Sequence, residues 1–257
     1  MWGDRALHAA RNNADHYEAV FRAHRLGFHR DASLFRAIDP PPPYYSAALV
    51  LMRSDKAAQV AAIAASLARF GGKASVKDGF GALDLSPLGL EVGFHASWIW
   101  AEAVPPGENP GWQVVTNAGD LAQWELAWQA GGSPADQRVF PPDCLTDDSL
   151  VFCGRRCGAG FDAGCLVNRS GDIVGLSNVF GPADDAGLFP AALGMARWVG
   201  RGQPVAGFER GADLDAARAA GFGDAGPLTV WFPGVGDEAK ISIRPDFQRN
   251  RRKVGTL

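Results

Sequence analysis

The chain has 257 residues, 47% of them hydrophobic, a formal net charge of −3 and four cysteines. That is apolar material for one large or two small cores, and the interspersed charge argues against a nucleic-acid or membrane-surface partner. No run approaches the roughly 20 apolar residues that span a bilayer, and the first residues lack the apolar stretch of a secretory leader, so a cytoplasmic protein is expected.

Residues 5–26 predict a helix, because Leu7, Ala10, Ala14, Tyr17, Val20 and Phe21 recur at helical spacing. His8, His16 and His24 recur every eight residues. They drift around that helix rather than stack as a metal-binding pair, and are read as surface or boundary residues. Asn12 and Asn13 are poor interior helix formers. Two readings stand for them, a functional polar contact and an exposed or back-bonded pair. The proline run at 40–43 cannot continue a helix and marks a boundary. Residues 45–52 predict a buried strand, and 55–70 an Ala-rich helix capped by Ser54 or Asp55 and closed by Gly71 and Gly72. Two strands follow, 73–85 and 88–100, around a turn at Ser86-Pro87. In the second, Leu90, Val92, Phe94, Ala96, Trp98 and Trp100 share one face; Glu91, Gly93, His95, Ser97 and Ile99 share the other.

A second Pro-rich linker covers 104–110. Beyond it come a strand at 112–116 and a helix at 121–130 with Trp124 and Trp128 on one face, read as core. Strands at 149–155 and 161–168 are joined by a Gly-rich turn, and Arg169 to Asp172 form the next turn. Cys144, Cys153, Cys157 and Cys165 match no paired zinc or redox spacing and read as small buried hydrophobes; no metal site is expected. The stretch 171–231 then reads strand (173–180), loop, helix through Leu193 and Trp198, strand (204–210), helix (213–220) and strand (226–231). Asp213 is expected to cap the short helix and Gly221 to end it. Two strands separated by such a helix call for parallel pairing. The basic tail at 248–253 reads as a solvated end.

This order, with Ala216-Ala217-Arg218-Ala219-Ala220-Gly221-Phe222 ahead of Gly226-Pro227-Leu228, resembles the second half of the fold of the Gcn5-related N-acetyltransferases (GNAT). Asn168-Arg169-Ser170, Leu176-Ser177-Asn178-Val179-Phe180 and Gly207-Phe208-Glu209-Arg210-Gly211 resemble strings of a bacterial GNAT-like group. The resemblance covers residues 110–232, and more loosely 10–105. It implies an α/β (α+β) fold, a GNAT-like mixed sheet flanked by helices and preceded by a partial GNAT-like block. The implied division is 1–104 (helix plus partial block), 111–235 (acyltransferase domain) and 236–257 (tail).

In that family acetyl-CoA lies in a V where the fourth and fifth strands part, its pantetheine on the fourth strand and its pyrophosphate at the next helix N-terminus, where free N–H groups favour an anion. The resemblance thus makes Ser177, Val179, Phe180, Gly181 and Gly187 candidate cofactor-binding residues. The family's Gln/Arg-x-x-Gly-x-Gly/Ala loop is replaced by Gly181-Pro182-Ala183-Asp184-Asp185-Ala186-Gly187. Pro182 lacks a donor, and the two aspartates either repel a pyrophosphate or cap the helix. The family's Tyr acid position is Ala217. Glu209, at the carboxyl end of the fifth strand, is the candidate catalytic base, or else pairs with Arg210 and holds the turn. Asn178 is the second catalytic candidate, to hydrogen-bond an acyl group, or else makes a structural bond. Asp78 and His95 are polar positions that would face the same cleft. The implied activity moves an acetyl or acyl group from acyl-CoA to a small-molecule or peptide amine. The alternative is a catalytically degenerate GNAT-like module binding a peptide, amino acid or partner protein; a third reading replaces acyl-CoA by an aminoacyl carrier. Walker, dinucleotide and Gly-x-Ser-x-Gly motifs are absent from the sequence.

Overall fold

The computed structural model describes residues 2–105 and 107–234; the basic tail lies outside the described residues. Its helices are α1 (Trp2–Ala23), α2 (Lys56–Ala68), α3 (Ala118–Ala130), α4 (Leu188–Val199) and α5 (Gly211–Ala219). The strands are β1 (Phe28–Arg30), β2 (Leu34–Ala37), β3 (Ala48–Val50), β4 (Val76–Asp78), β5 (Leu90–Ala101), β6 (Gln113–Val114), β7 (Leu150–Cys157), β8 (Gly160–Ser170), β9 (Ile173–Phe180), β10 (Val205–Glu209) and β11 (Gly223–Pro233). All of these strands join one mixed sheet in the order β1-β2-β3-β4-β11-β5-β10-β9-β8-β7-β6.

That order interleaves the two parts of the chain. β5, from the N-terminal part, lies between β10 and β11; β11, the last strand among the described residues, lies between β5 and β4. Two parallel pairs flank this centre, β3 with β4 through α2 and β9 with β10 through α4. From β4 to β10 each step (β4–β11, β11–β5, β5–β10) is antiparallel. β4 and β10 therefore run in opposite senses, and the two parallel pairs point their carboxyl ends in opposite directions.

Helix α1 is covered on more than one side. It packs on β5, β8, β9, β10 and β11, while Tyr17 and Phe21 meet Phe35 of β2 edge-on. His16 is therefore buried, against the expectation of a surface or boundary position, and Asn12 and Asn13 are buried with it. Lys77 Nζ donates to Asn13 Oδ1 at 3.0 Å, and Asn168 Nδ2 to the backbone carbonyl of Asn12 at 3.2 Å, while the Asn12 side-chain nitrogen is buried without a hydrogen-bond partner. On the same face of the sheet as α1, Trp124 of α3 meets Phe140, Phe152 and Phe180 edge-on and donates its indole N–H to the Cys153 carbonyl. Cys144, Cys153 and Cys165 are buried, and Cys157 is exposed.

Three expected elements differ. The strand expected at 73–85 shrinks to β4, because the Asp78 carboxylate accepts from the N–H groups of Phe80, Ala82 and Leu83 at 3.0, 2.6 and 2.7 Å and turns the chain out of the sheet. In β5 the register shifts between Phe94 and Val92, and Val92 is exposed instead of sharing the buried face. α5 starts at Gly211 with Arg210 as N-cap, which places Asp213 in the first turn rather than at the cap; its charge there still suits the helix dipole. Gly221 ends that helix at φ +107°, as expected.

Candidate functional site

The site is built where β9 and β10 separate. Their ladder consists of Val205 opposite Val174 and Ala206 opposite Gly175. One step further, Gly207 still crowds β9, since a Cβ there would stand 2.6 Å from the Leu176 carbonyl. Beyond it the strands part, while β10 stays paired to β5 as far as Glu209 opposite Ser97. Gly164 pairs Phe180 but Leu166 pairs Ser177, so β9 carries one residue more than β8 in this interval. Asn178 sits in that bulge at φ +53°, in the left-handed region that Asn tolerates better than most residues. Its amide donates to Ser177 Oγ at 3.0 Å.

The structure thus brings Ser177, Asn178 and Val179, all half-buried, onto one arm of a cleft, with half-buried Phe208 and Glu209 on the other. Glu209 lies beside Arg210, whose guanidinium stands 4.2 Å from the Phe94 ring centre. Burial lowers the Arg210 pKa, and the charges of Asp213 and Glu209 oppose that shift. Phe180 is buried against Trp124 at the base of the arm. Ala217 is buried on the inner face of α5. Asp78 and His95 do not bond: both flank Thr229 of β11, but His95 Nδ1 lies 3.0 Å from Thr229 Oγ1 while the Asp78 carboxylate is taken up by its backbone donors.

The loop before α4 does not fit a pyrophosphate. Asp185 Oδ1 accepts from the Gly187 N–H at 2.9 Å, and the Asp185 carbonyl accepts from the Leu188 N–H at 3.1 Å. Pro190, in the same first turn, has no N–H to offer. Arg155, the nearby cation, donates to Asp185 Oδ2 at 2.8 Å and to Asp162 Oδ1 at 2.8 Å. Those two carboxylates push the Arg155 pKa up, overcoming the opposing effect of burial. Asp185 therefore closes a turn onto Gly187, the N-cap residue, and α4 itself has no side-chain cap bond. Gly181 sits where a Cβ would come 2.8 Å from Leu188 Cδ1, so the loop is tight against the helix it precedes.

Two polar features lacked a local signal in the sequence. Lys77 is only 5% exposed and lies over the rings of Phe208 (4.2 Å) and Tyr17 (5.1 Å). The Arg155–Asp185 pair joins positions 30 apart in sequence. Among the described residues no group of His, Cys, Asp or Glu is placed to hold a metal ion, and no helix is long and apolar enough to cross a membrane.

No protein-family model matches the chain, and no curated protein matches it. Solved structures do. A GCN5-related N-acetyltransferase from Kribbella flavida superposes with a TM-score of 0.55 over 89% of this chain and 96% of its own, at 13% identity. One from Sphaerobacter thermophilus gives 0.50 over 91% and 93%, at 14% identity. A conserved protein of unknown function from Staphylococcus epidermidis gives 0.55 over 84% and 98%, at 10% identity. The chain has the GNAT fold, a mixed sheet flanked by helices.

Proposed function

We propose that this chain, on the premise of that fold, transfers an acyl group from a thioester to an amine in the cleft between β9 and β10. The observation that carries the reading is the parting of these strands after Gly175 and Ala206, which leaves the β10-facing edge of Ser177 to Phe180 outside the ladder. A thioester arm suits that edge. Ser177, Val179 and Phe180 would line it, with Gly181 at its end, and Asn178 would orient the acyl oxygen. Glu209 would accept a proton from the acceptor ammonium; the amine nitrogen then attacks the thioester carbonyl carbon, the C–S bond breaks, and the second proton the nitrogen sheds on becoming an amide reaches the leaving thiolate through water, because Ala217 carries no acid. Acyl-CoA is the donor the fold suggests. Its pyrophosphate would gain little here, because Asp185 holds the Gly187 N–H. The acceptor in this reading is a small-molecule or peptide amine, the site belongs to the 111–235 part of the chain, and the protein works in the cytoplasm.

Calorimetric titration with acetyl-CoA and with S-acetylpantetheine tests this. The truncated donor should bind within about threefold of acetyl-CoA, well under one decade of affinity. Failure of both donors at millimolar concentration overturns acyl transfer in this cleft, and strong preference for acetyl-CoA overturns the argument that the pyrophosphate gains little. The first failure would favour the second reading, a non-catalytic module for a peptide or amino acid, which the Asp185–Gly187 turn and Ala217 support.

A further inference from the structure

The second parallel pair, β3 with β4, also opens at its carboxyl end, and there the molecule holds a cavity of about 120 Å³. Val50, Met52, Phe80 and Leu83 give it apolar walls, and Arg53 and Lys56 stand on its rim. Buried polar side chains build the walls. Gln59, 4% exposed, donates from Nε2 to the Met52 carbonyl at 3.0 Å and fixes the β3–α2 connection. Asp78, wholly buried, gathers the N–H groups of Phe80, Ala82 and Leu83 and shapes the opposite wall. The Arg53 guanidinium rests 5.7 Å from the centre of the Phe80 ring, which holds its charge at the mouth. Asp55 accepts from the N–H groups of Ala57 and Ala58, so an anion in this cavity would be met by the two side-chain cations rather than by the start of α2.

We infer that this cavity is a second ligand site, for a small carboxylate with a short apolar body. The charge argument follows from the lining: two cations, Arg53 and Lys56, stand at the mouth against one carboxylate, Asp78, whose oxygens are already turned to the backbone donors of Phe80, Ala82 and Leu83. Size sets the body, since a cavity of about 150 Å³ accommodates benzene and this one is slightly smaller, room for about six heavy atoms. The site is separate from the β9/β10 cleft, because β11 and β5 stand between the two parallel pairs and the pairs open in opposite directions, and it stands whether or not acyl transfer does.

Sodium butyrate is the probe, followed on the full chain by the ¹⁵N–¹H shifts of Phe80, Ala82 and Leu83. These should move and saturate at millimolar butyrate. In the Arg53→Met/Lys56→Met variant, whose changes are at exposed positions, affinity should fall about tenfold or more. Added sodium chloride should weaken binding to the native chain but not the residual binding of the variant. Shifts that never saturate, or that persist unchanged in the double variant, overturn the proposal. Inorganic phosphate moving the same amides as strongly as butyrate overturns the apolar body. Saturating acetyl-CoA should leave the butyrate shifts in place, and competition between the two would refute a separate second site.

Discussion

His16 makes the acid stability of this protein calculable. Its Nε2 lies 2.9 Å from Tyr45 Oη, its Nδ1 is buried without a partner, and Tyr17, Tyr45 and Lys77 are the titratable groups around it. Burial first, and the Lys77 charge second, push its pKa from 6.5 down to about 3. A depressed histidine is neutral when folded and takes up a proton when unfolded. The stability it contributes is present in full above the unfolded value and is lost as pH falls from about 6.5 toward about 3. Between pH 7 and pH 5 only the unfolded chain binds this proton, and the linkage integral gives a loss of about 2 kcal/mol. Urea unfolding of the native chain and of His16→Gln at both pH values isolates this contribution, because ionisations common to both cancel. The native chain should lose about 2 kcal/mol more than the variant. Parallel losses in the two proteins would refute an interior, uncharged His16.

Other consequences are as direct. Gly175→Ala places a Cβ 2.1 Å from Asn168 Oδ1 and 2.2 Å from Asn12 Oδ1, between two buried side chains that cannot both retreat. It should destabilise by about 1–3 kcal/mol in urea titration. Glu125 is buried, accepts from the N–H groups of Val139 and Phe140 at 2.6 and 3.2 Å, and pairs with Arg138. Glu125→Leu should cost about 1–3 kcal/mol and speed hydrogen exchange at Val139 and Phe140. Asp185→Gly removes the carboxylate at the start of α4 and releases one of the partners of Arg155. It should cost about 1 kcal/mol of stability yet tighten acetyl-CoA binding several-fold; unchanged affinity would show that Asp185 is not what excludes phosphate.

The elements with strong local grammar were legible in the sequence. β9 occupies the residues that alternation and turn signals assign to it, and α2 begins behind the Asp55 cap. The cleft candidates Asn178 and Glu209 fall on its two arms because strand order alone puts them there. What stayed hidden was long-range. Nothing near Asp78 announces that its carboxylate will gather three amides and end a strand, and nothing in α1 tells that a helix with Asn12, Asn13 and His16 on it will be enclosed by the sheet. Periodicity reports which face of a helix is apolar. It cannot report that polar groups on the other face meet Lys77 and Asn168 from distant strands. The acidic loop reads either as repelling a phosphate or as capping α4, and the structure shows Asp185 bonded instead to Arg155 and to the N-cap residue Gly187.

The place of β5 has a consequence for how the protein is made. This 12-residue strand leaves the ribosome with both of its eventual neighbours, β10 and β11, still to be translated. Until residues 205–233 follow, its apolar Trp98 and Trp100 and both of its edges stand open, the condition in which nascent chains pair wrongly or call on chaperones. Neither part of the chain can complete its own sheet in isolation, so separately expressed halves would be expected to assemble only with each other. Synthesis and the completion of the sheet thereby converge on a late event, the arrival of β11 between β4 and β5.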